Sequence, residues 1–289
     1  MIIFLKNLPK IVRVFFLINP PKWDFFIIFL HQLLYPWKIK IINLDYSNLT
    51  HDFFDGNLDQ FSYGRVVFNY LPLQNLFGEN KAHFVKCFNY DLESLLVEHE
   101  CEYKQVKVES GDVVFDCGAN IGVFSILAAP LASVVYAFEP AKDNLLSLEH
   151  NIKINSTNKV EIVPKALSDV ASQTRLVLGD SLANYLIREG EPLDAGAKTE
   201  LVETITLDGF VKQKNITKVD FIKLDVEAFE EKVLLGTKEV LKRDKPKLSI
   251  SIQHKHMDFY RIPWLLHNLN PDYRMYVKRR KYDLCVYAY

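Results

Sequence analysis

Glycine and proline are scarce in this 289-residue chain, at 11 and 12 residues. That excludes a long disordered linker or a low-complexity tail. The four cysteines, Cys87, Cys101, Cys117 and Cys285, are scattered and form no C-x-x-C pair, which argues against a zinc knuckle or a thioredoxin-like redox site. Cys117 falls inside an apolar, strand-like run, where a lone thiol serves as a small hydrophobe, and this cysteine usage fits a reducing, cytoplasmic setting. Net charge is nearly absent too: 35 Lys and Arg against 36 Asp and Glu leave a formal −1. No overall field draws a polyanion to such a chain, and no nucleic-acid partner is expected. No apolar run reaches the roughly 20 residues that span a bilayer. No small-residue cleavage site follows the first apolar run, so a secretory signal is not expected.

What is present is ordinary for a globular protein, with 49% hydrophobic and 25% charged residues and a length that allows one large domain, or one domain with an appendage. The near-zero charge is unevenly distributed. Residues 1–40 hold six Lys and Arg against one Asp, a local +5, which leaves −6 for the rest. These charges separate three short apolar runs, Met1–Leu5, Ile11–Ile18 and Phe25–Leu30. Two readings follow: basic amphipathic helices lying on an anionic membrane surface, or helices whose apolar stripes cap the rest of the chain. From Asp45 to Glu109 aromatics are dense, as in Phe53, Phe54, Phe61, Tyr63, Phe68 and Tyr70, with Gly56, Gly64, Pro72 and Gly78 between them. This stretch reads as short helices and strands forming a lid or access platform, whose aromatics belong to a core or stack on sugar rings. Helical spacing recurs over Leu92–Cys101. The expected division is an N-terminal, mainly helical or mixed cap region over 1–97 and a main domain over 98–289.

At Gly111 the pattern changes. Val113–Phe115, Val134–Phe138 and Val160–Val163 are short continuous apolar runs, the signature of strands buried on both faces. Helical segments separate them, from Val123 to about Leu131 and through Leu145, Leu148 and Ile152. Strand, helix, strand, helix, strand predicts a right-handed βαβαβ unit on a parallel sheet. Arg175–Leu178 and Glu203–Thr206 read as short strands, and Gly190–Lys198 as a flexible loop. Val219–Asp225 reads as the fourth main strand, followed by a helix from about Phe229, and Leu248–Ile252 as the fifth. Tyr273–Val277 and Asp283–Tyr289 read as an antiparallel hairpin at the sheet edge.

Chemistry concentrates at the strand ends. The first strand runs into Asp116-Cys-Gly118-Ala-Asn120-Ile-Gly122, a turn whose glycines allow close backbone approach to a ligand. It is not G-x-G-x-x-G, so the phosphate cradle of a dinucleotide is absent. S-adenosylmethionine carries no phosphate, and an acid at this position suits its cationic methionine end. Glu139 ends the second strand, where a carboxylate can accept hydrogen bonds from ribose hydroxyls.

Residues from about 98 to 289 resemble the FkbM family of S-adenosylmethionine-dependent methyltransferases. The resemblance is carried by Gly111-Asp-Val-Val-Phe-Asp-Cys-Gly-Ala-Asn-Ile-Gly122, Ala137-Phe-Glu-Pro140, Lys165-Ala-Leu-Ser-Asp169, Thr206-Leu-Asp208, Asp220-Phe-Ile-Lys-Leu-Asp-Val-Glu-Ala-Phe-Glu230, Val233-Leu-Leu-Gly236 and the final hairpin. It implies a class I methyltransferase fold, an α/β Rossmann-like sheet of seven strands with the last antiparallel. It also implies methyl transfer to a hydroxyl, often on a sugar or a polyketide-type product; a sugar of a glycan or glycolipid is the acceptor expected here. Carried over by position, Asp116, Gly118, Asn120 and Gly122 form the cofactor loop, Glu139 binds the ribose, Ala166 and Ser168 flank the adenine, and Asp225 lies near the methionine end. Where the family usually has glycine this chain has Ala228, a departure that costs stability if the site needs a positive φ. The Asn19-Pro20-Pro21 stretch, similar to a box of amino-group methyltransferases, lacks the aromatic fourth residue and a preceding strand, and is set aside.

Lys223, Asp225 and Glu227 share parity along an extended segment and point one way while the strand lasts. Transfer to an alcohol needs alignment and a proton acceptor. His254, at the end of the fifth strand, is the first choice as base, with Asp225 or Glu227 as the rival and His256 as a second polar contact. Asp225, Glu227, Glu230 and His254 are oxygen-rich, yet nothing in their spacing demands a metal, and none is assigned. Two other classes stand beside this one: a nicotinamide-dependent oxidoreductase on a similar sheet, and a non-catalytic binding module.

Overall fold

The computed structural model describes residues 101–179, 184–187, 190, 192–255, 257–279 and 284–289, together with the backbone of three earlier strands. Those are β1 (Ile39–Asn43), β2 (Gln60–Tyr63) and β3 (Val66–Asn69). The main domain begins with β4 (Val113–Cys117), α1 (Val123–Ala128), β5 (Val134–Phe138), α2 (Lys142–Ile154) and β6 (Val160–Val163). Four strands follow: β7 (Ala166–Leu167), β8 (Ser172–Val177), β9 (Tyr185–Leu186) and β10 (Thr199–Ile205). Then come α3 (Leu207–Lys214), β11 (Phe221–Leu224), α4 (Glu230–Leu235), α5 (Lys238–Arg243) and β12 (Lys247–Ser251). The chain closes with α6 (Asp258–Leu269), β13 (Met275–Arg279) and β14 (Leu284–Ala288). The three apolar runs of the N-terminal forty residues, the helical spacing of residues 92–100 and His256 lie outside the described residues. Among the described residues, no helix is long and apolar enough to cross a membrane.

The sheet order is β1-β13-β14-β12-β11-β4-β5-β6. From β12 to β6 all neighbours are parallel, and β14 runs antiparallel to both β12 and β13. The expected seven-stranded sheet with a reversed last strand is present. The hairpin is not its edge, because β1 pairs in parallel with β13 from Ile39 opposite Met275 to Asn43 opposite Arg279.

Alternation along each buried strand divides the core in two. Phe115 and Cys117 on β4, with Ile222 and Leu224 on β11, face the helices α3 to α6. There Phe210 of α3 meets Phe115, Tyr136 and Phe138 edge to face, with ring centroids 5.0–5.9 Å apart, the arrangement the aromatic quadrupole favours. Val114 and Phe221 face the other way, against Phe124 and Ala128 of α1. Thr206 caps α3 by accepting from Gly209 N at 3.0 Å. Asp208 accepts from Glu239 N and Val240 N, both at 3.0 Å, at the start of α5. The Thr206-Leu-Asp208 motif therefore supports the fold by satisfying helix-end donors.

Two features go beyond the sequence reading, which has Arg175–Leu178 and Glu203–Thr206 only as separate short strands. A four-stranded sheet, β7-β10-β8-β9, covers one side of the crevice with Ala166, Leu176, Leu186 and Val202 in its own small core. Helix α6 contains Pro263, which argues against a helix from sequence alone. Ile262, Pro263, Leu265 and Leu266 are nevertheless all buried, and their packing outweighs the missing donor.

The loop after β11 carries the family's departure. Glu227 and Ala228 have φ of 49° and 73°, and the Ala228 carbonyl accepts from Lys255 Nζ. Alanine in a left-handed conformation costs about 1–2 kcal/mol, while glycine adds about 0.5–1 kcal/mol of unfolded-state entropy. Ala228→Gly is accordingly expected to stabilise the protein by a few tenths to about 1 kcal/mol, read as a higher urea midpoint at unchanged slope.

Candidate active site

The centre of the crevice is a buried ion pair. Asp116 and Lys223 are register partners on adjacent strands β4 and β11, and parity turns both toward α1. Asp116 is 0% exposed. Its Oδ1 lies 3.0 Å from Lys223 Nζ, and its Oδ2 accepts from Ser125 Oγ at 2.6 Å. Lys223 Nζ also donates to Gly118 O at 2.7 Å. Burial alone would lower the Lys223 pKa, but the Asp116 and Asp225 carboxylates outweigh it and hold the ammonium well above its ordinary value.

Above this pair, the turn after β4 is built from left-handed residues: Gly118, Asn120 and Gly122 have φ of 83°, 51° and 90°. Gly118 N and Ala119 N both donate to Phe138 O, at 3.0 and 2.9 Å, and Asp225 N donates to Cys117 O at 3.0 Å. A Cβ on Gly118 would sit 1.9 Å from Asp225 O, so only glycine lets the two strand ends come this close.

Glu139 closes the far side of the turn. It is 5% exposed; Oε2 accepts from Asn120 N at 2.9 Å, and Oε1 from Ala141 N at 2.9 Å and Asn144 Nδ2 at 3.3 Å. Burial pushes its carboxyl up to about 7, against the pull of those three donors.

On the β11 side, His254 stands among three carboxylates. Its Nδ1 lies 2.8 Å from Glu230 Oε1, and its Nε2 lies 3.5 Å from Asp225 Oδ1 and 3.3 Å from Glu227 Oε2. Glu230 opens α4 fully buried, and its Oε1 also accepts from Val226 N at 3.1 Å. Burial alone would lower the His254 pKa, yet the Glu230, Asp225 and Glu227 carboxylates raise it to about 10. Burial, reinforced by Asp225 and Glu230 against His254, pushes Glu227 up to about 7.

One cavity joins both halves, and Gly118, Asn120, Glu139, Ala166, Asp225 and Glu227 all line it. Asp116, Gly122, Ser168 and His254 do not. Asp116 was expected at the cationic end of a cofactor; its carboxylate is engaged by Lys223 and Ser125 and does not line the cavity. Ser168 donates to Asp169 Oδ1 at 3.1 Å. His254 was the first choice as base; its Nε2 faces Asp225 and Glu227, the two rival carboxylates, and these rather than the ring line the cavity. Lys223 and Ser251, which also line the cavity, were not among the expected site residues. The signal for Lys223 was available: a lysine inside an apolar strand needs a buried counter-charge.

Residues 116–284, more than half of the chain, match the family model of the methyltransferase FkbM domain. Over 184 residues the chain is 27% identical to 31-O-demethyl-FK506 methyltransferase FkbM of Streptomyces tacrolimicus, covering 52% of this chain and 68% of that protein. Over 108 residues it is 30% identical to an uncharacterised protein of Methanocaldococcus jannaschii, covering 37% and 39%. The solved structure of methyltransferase FkbM from Methylobacillus flagellatus superposes with a TM-score of 0.52 at 18% identity, covering 72% of this chain and 53% of that one. That likeness speaks for the fold, and this chain matches about half the length of that structure.

Removing one member of a buried ion pair strands the other, at a cost of about 3–5 kcal/mol. Lys223→Met is expected to lose stability of that order in urea denaturation, with Asp116→Asn added to it recovering part of the loss. Gly118→Ala is expected to unfold the turn or the domain, seen as a lower melting temperature.

Proposed function

Because the chain belongs to the FkbM methyltransferase family, we propose that it transfers the methyl group of S-adenosylmethionine to a hydroxyl, on a sugar of a glycan or glycolipid. The observation that carries this reading is the cavity bounded by the Gly118–Asn120 turn and Glu139 on one side and by Asp225 and Glu227 on the other. The cofactor supplies a methyl group on a sulfonium, so that its transfer leaves a neutral thioether.

The residues fit such a ligand. Glu139 Oε2 accepts from Asn120 N, and its remaining lone pair can serve a ribose hydroxyl. Gly118 lets the backbone approach the ligand closely. Ala166, Leu167 and Leu176 give the cavity an apolar wall suited to an adenine. Lys223 uses two ammonium hydrogens on Asp116 and Gly118, and the third supplies a counter-charge to the methionine carboxylate. Asp225 and Glu227 then face the reacting side. A hydroxyl acceptor held beside them would be aligned for displacement and would pass its proton to one of these carboxylates as it attacks. His254 orients both from behind. The name of the Streptomyces relative, which specifies a methyl on an oxygen, supports a hydroxyl acceptor. The absence of G-x-G-x-x-G counts against a nicotinamide cofactor.

Titration calorimetry with S-adenosylmethionine tests the cofactor assignment, and S-adenosylhomocysteine release with candidate glycans tests the reaction. The ribose contact favours ionised Glu139, because a charged acceptor makes the stronger hydrogen bond. A carboxyl at about 7 is increasingly protonated below that pH, so cofactor affinity is expected to fall several-fold from pH 8 to pH 6. Glu139→Gln is expected to weaken binding about tenfold and to flatten this profile. An unchanged affinity in the variant would remove Glu139 from the site.

A further inference from the structure

We infer that Asp225, Glu227 and His254 bind a divalent first-row transition cation, which holds the acceptor hydroxyl beside them. The inference rests on the methyl-transfer reading for that hydroxyl alone; the cation site stands on its own geometry.

His254 Nε2 and one carboxylate oxygen each from Asp225 and Glu227 lie within 4.8 Å of one another. The two Nε2 distances, 3.5 and 3.3 Å, approach the roughly 3.0–3.5 Å between ligand atoms placed about 2.0–2.2 Å from one ion. Glu230 Oε1 engages the other ring nitrogen at 2.8 Å. An ionised carboxylate only accepts, so Nδ1 donates, and the position between Nε2 and the two cavity carboxylates is held by the Nε2 proton or, in its place, by a cation. With a cation in the place of that proton, three ligand atoms converge on it. This carboxylate–histidine arrangement is the one that orients metal-bound imidazoles.

A second observation points to a ligand in the same cavity. Ser251, 7% exposed, lines the cavity shared with Asp225 and Glu227, and its Oγ makes no hydrogen bond. A buried hydroxyl without a partner costs about 1–3 kcal/mol, and a hydroxyl-bearing ligand in the cavity would satisfy it. Behind His254, the wholly buried Glu230 also has its Oε2 without a partner, so the negative side of the crevice is underserved with donors. Asp225 and Glu227 side chains remain 42% and 38% exposed, which leaves the cavity side of an ion open to an oxygen ligand. One imidazole with two carboxylates suits ions from Mn2+ to Zn2+ better than Mg2+, which favours oxygen ligands alone.

The test is a titration of the full chain with Mn2+ alone, followed by electron paramagnetic resonance. One bound ion per chain is expected, with nitrogen modulation from a single imidazole in pulsed spectra. Asp225→Asn and His254→Ala are expected to weaken binding at least tenfold. Glu230→Gln, which removes the outer carboxylate, is expected to weaken it about tenfold. The surface variant Glu203→Gln, whose carboxylate pairs with Lys165, is expected to bind as the parent does. Absence of a stoichiometric site, absence of imidazole modulation in the parent, or indifference to Asp225→Asn overturns the inference. The pulsed spectrum needs no variant and so does not depend on their folding. Cofactor binding without Mn2+ binding would overturn this site alone, whereas Mn2+ binding without cofactor binding would overturn the methyl-transfer reading.

Discussion

The Asp116–Lys223 pair is the constraint on which the crevice depends. It joins β4 to β11, the two strands between which the chain's direction of travel across the sheet reverses, and such switch points are where open α/β sheets bind ligands. One ammonium reaches both the Asp116 carboxylate and the Gly118 carbonyl, so the floor of the crevice and the turn above it are held by the same charge. Ser125 of α1 takes the remaining carboxylate oxygen. The strand pairing, the tight turn and the first helix are therefore tied to one buried point.

Around that point the charges are sorted. On the β5 side a single carboxylate, Glu139, is surrounded by backbone and amide donors from Asn120, Ala141 and Asn144. That environment fixes its orientation while leaving it room to accept from a ligand. On the β11 side the balance is opposite, with Asp225, Glu227 and Glu230 gathered on one imidazole. Like charges held this close raise one another's affinity for a cation, whether a proton or a metal. The left-handed turn at Glu227 and Ala228 places Glu227 in this cluster. A regular strand beyond Leu224 would have carried the backbone past it.

Much of this was legible in the residues. The buried parallel strands were readable because burial on both faces leaves continuous apolar runs, as in Val113–Phe115 and Val134–Phe138. The ligand end of the sheet was readable because glycines and acids stand directly after those runs. Less was readable where secondary structure relies on tertiary packing. The strands β7 and β9 are two residues each, too short for any period, and exist through pairing with β10 and β8. Helix α6 forms around a proline because its apolar face is covered. The pairing of β1 with β13 links residues more than two hundred positions apart and leaves no local mark.

The sequence by itself determined the order of the main parallel strands and of the helices between them, the sharp turn after β4 and the chemistry of the residues at the strand ends. These follow from local conformational preference and from the spacing of apolar side chains. Only the tertiary structure decided what each charged group does. Asp116 and Lys223 are separated by 107 residues, and Glu230 and His254 by 24. Whether a carboxylate faces a ligand or a buried lysine, and whether a histidine accepts a proton or keeps one, depends on neighbours and burial. Those exist only once the sheet has closed.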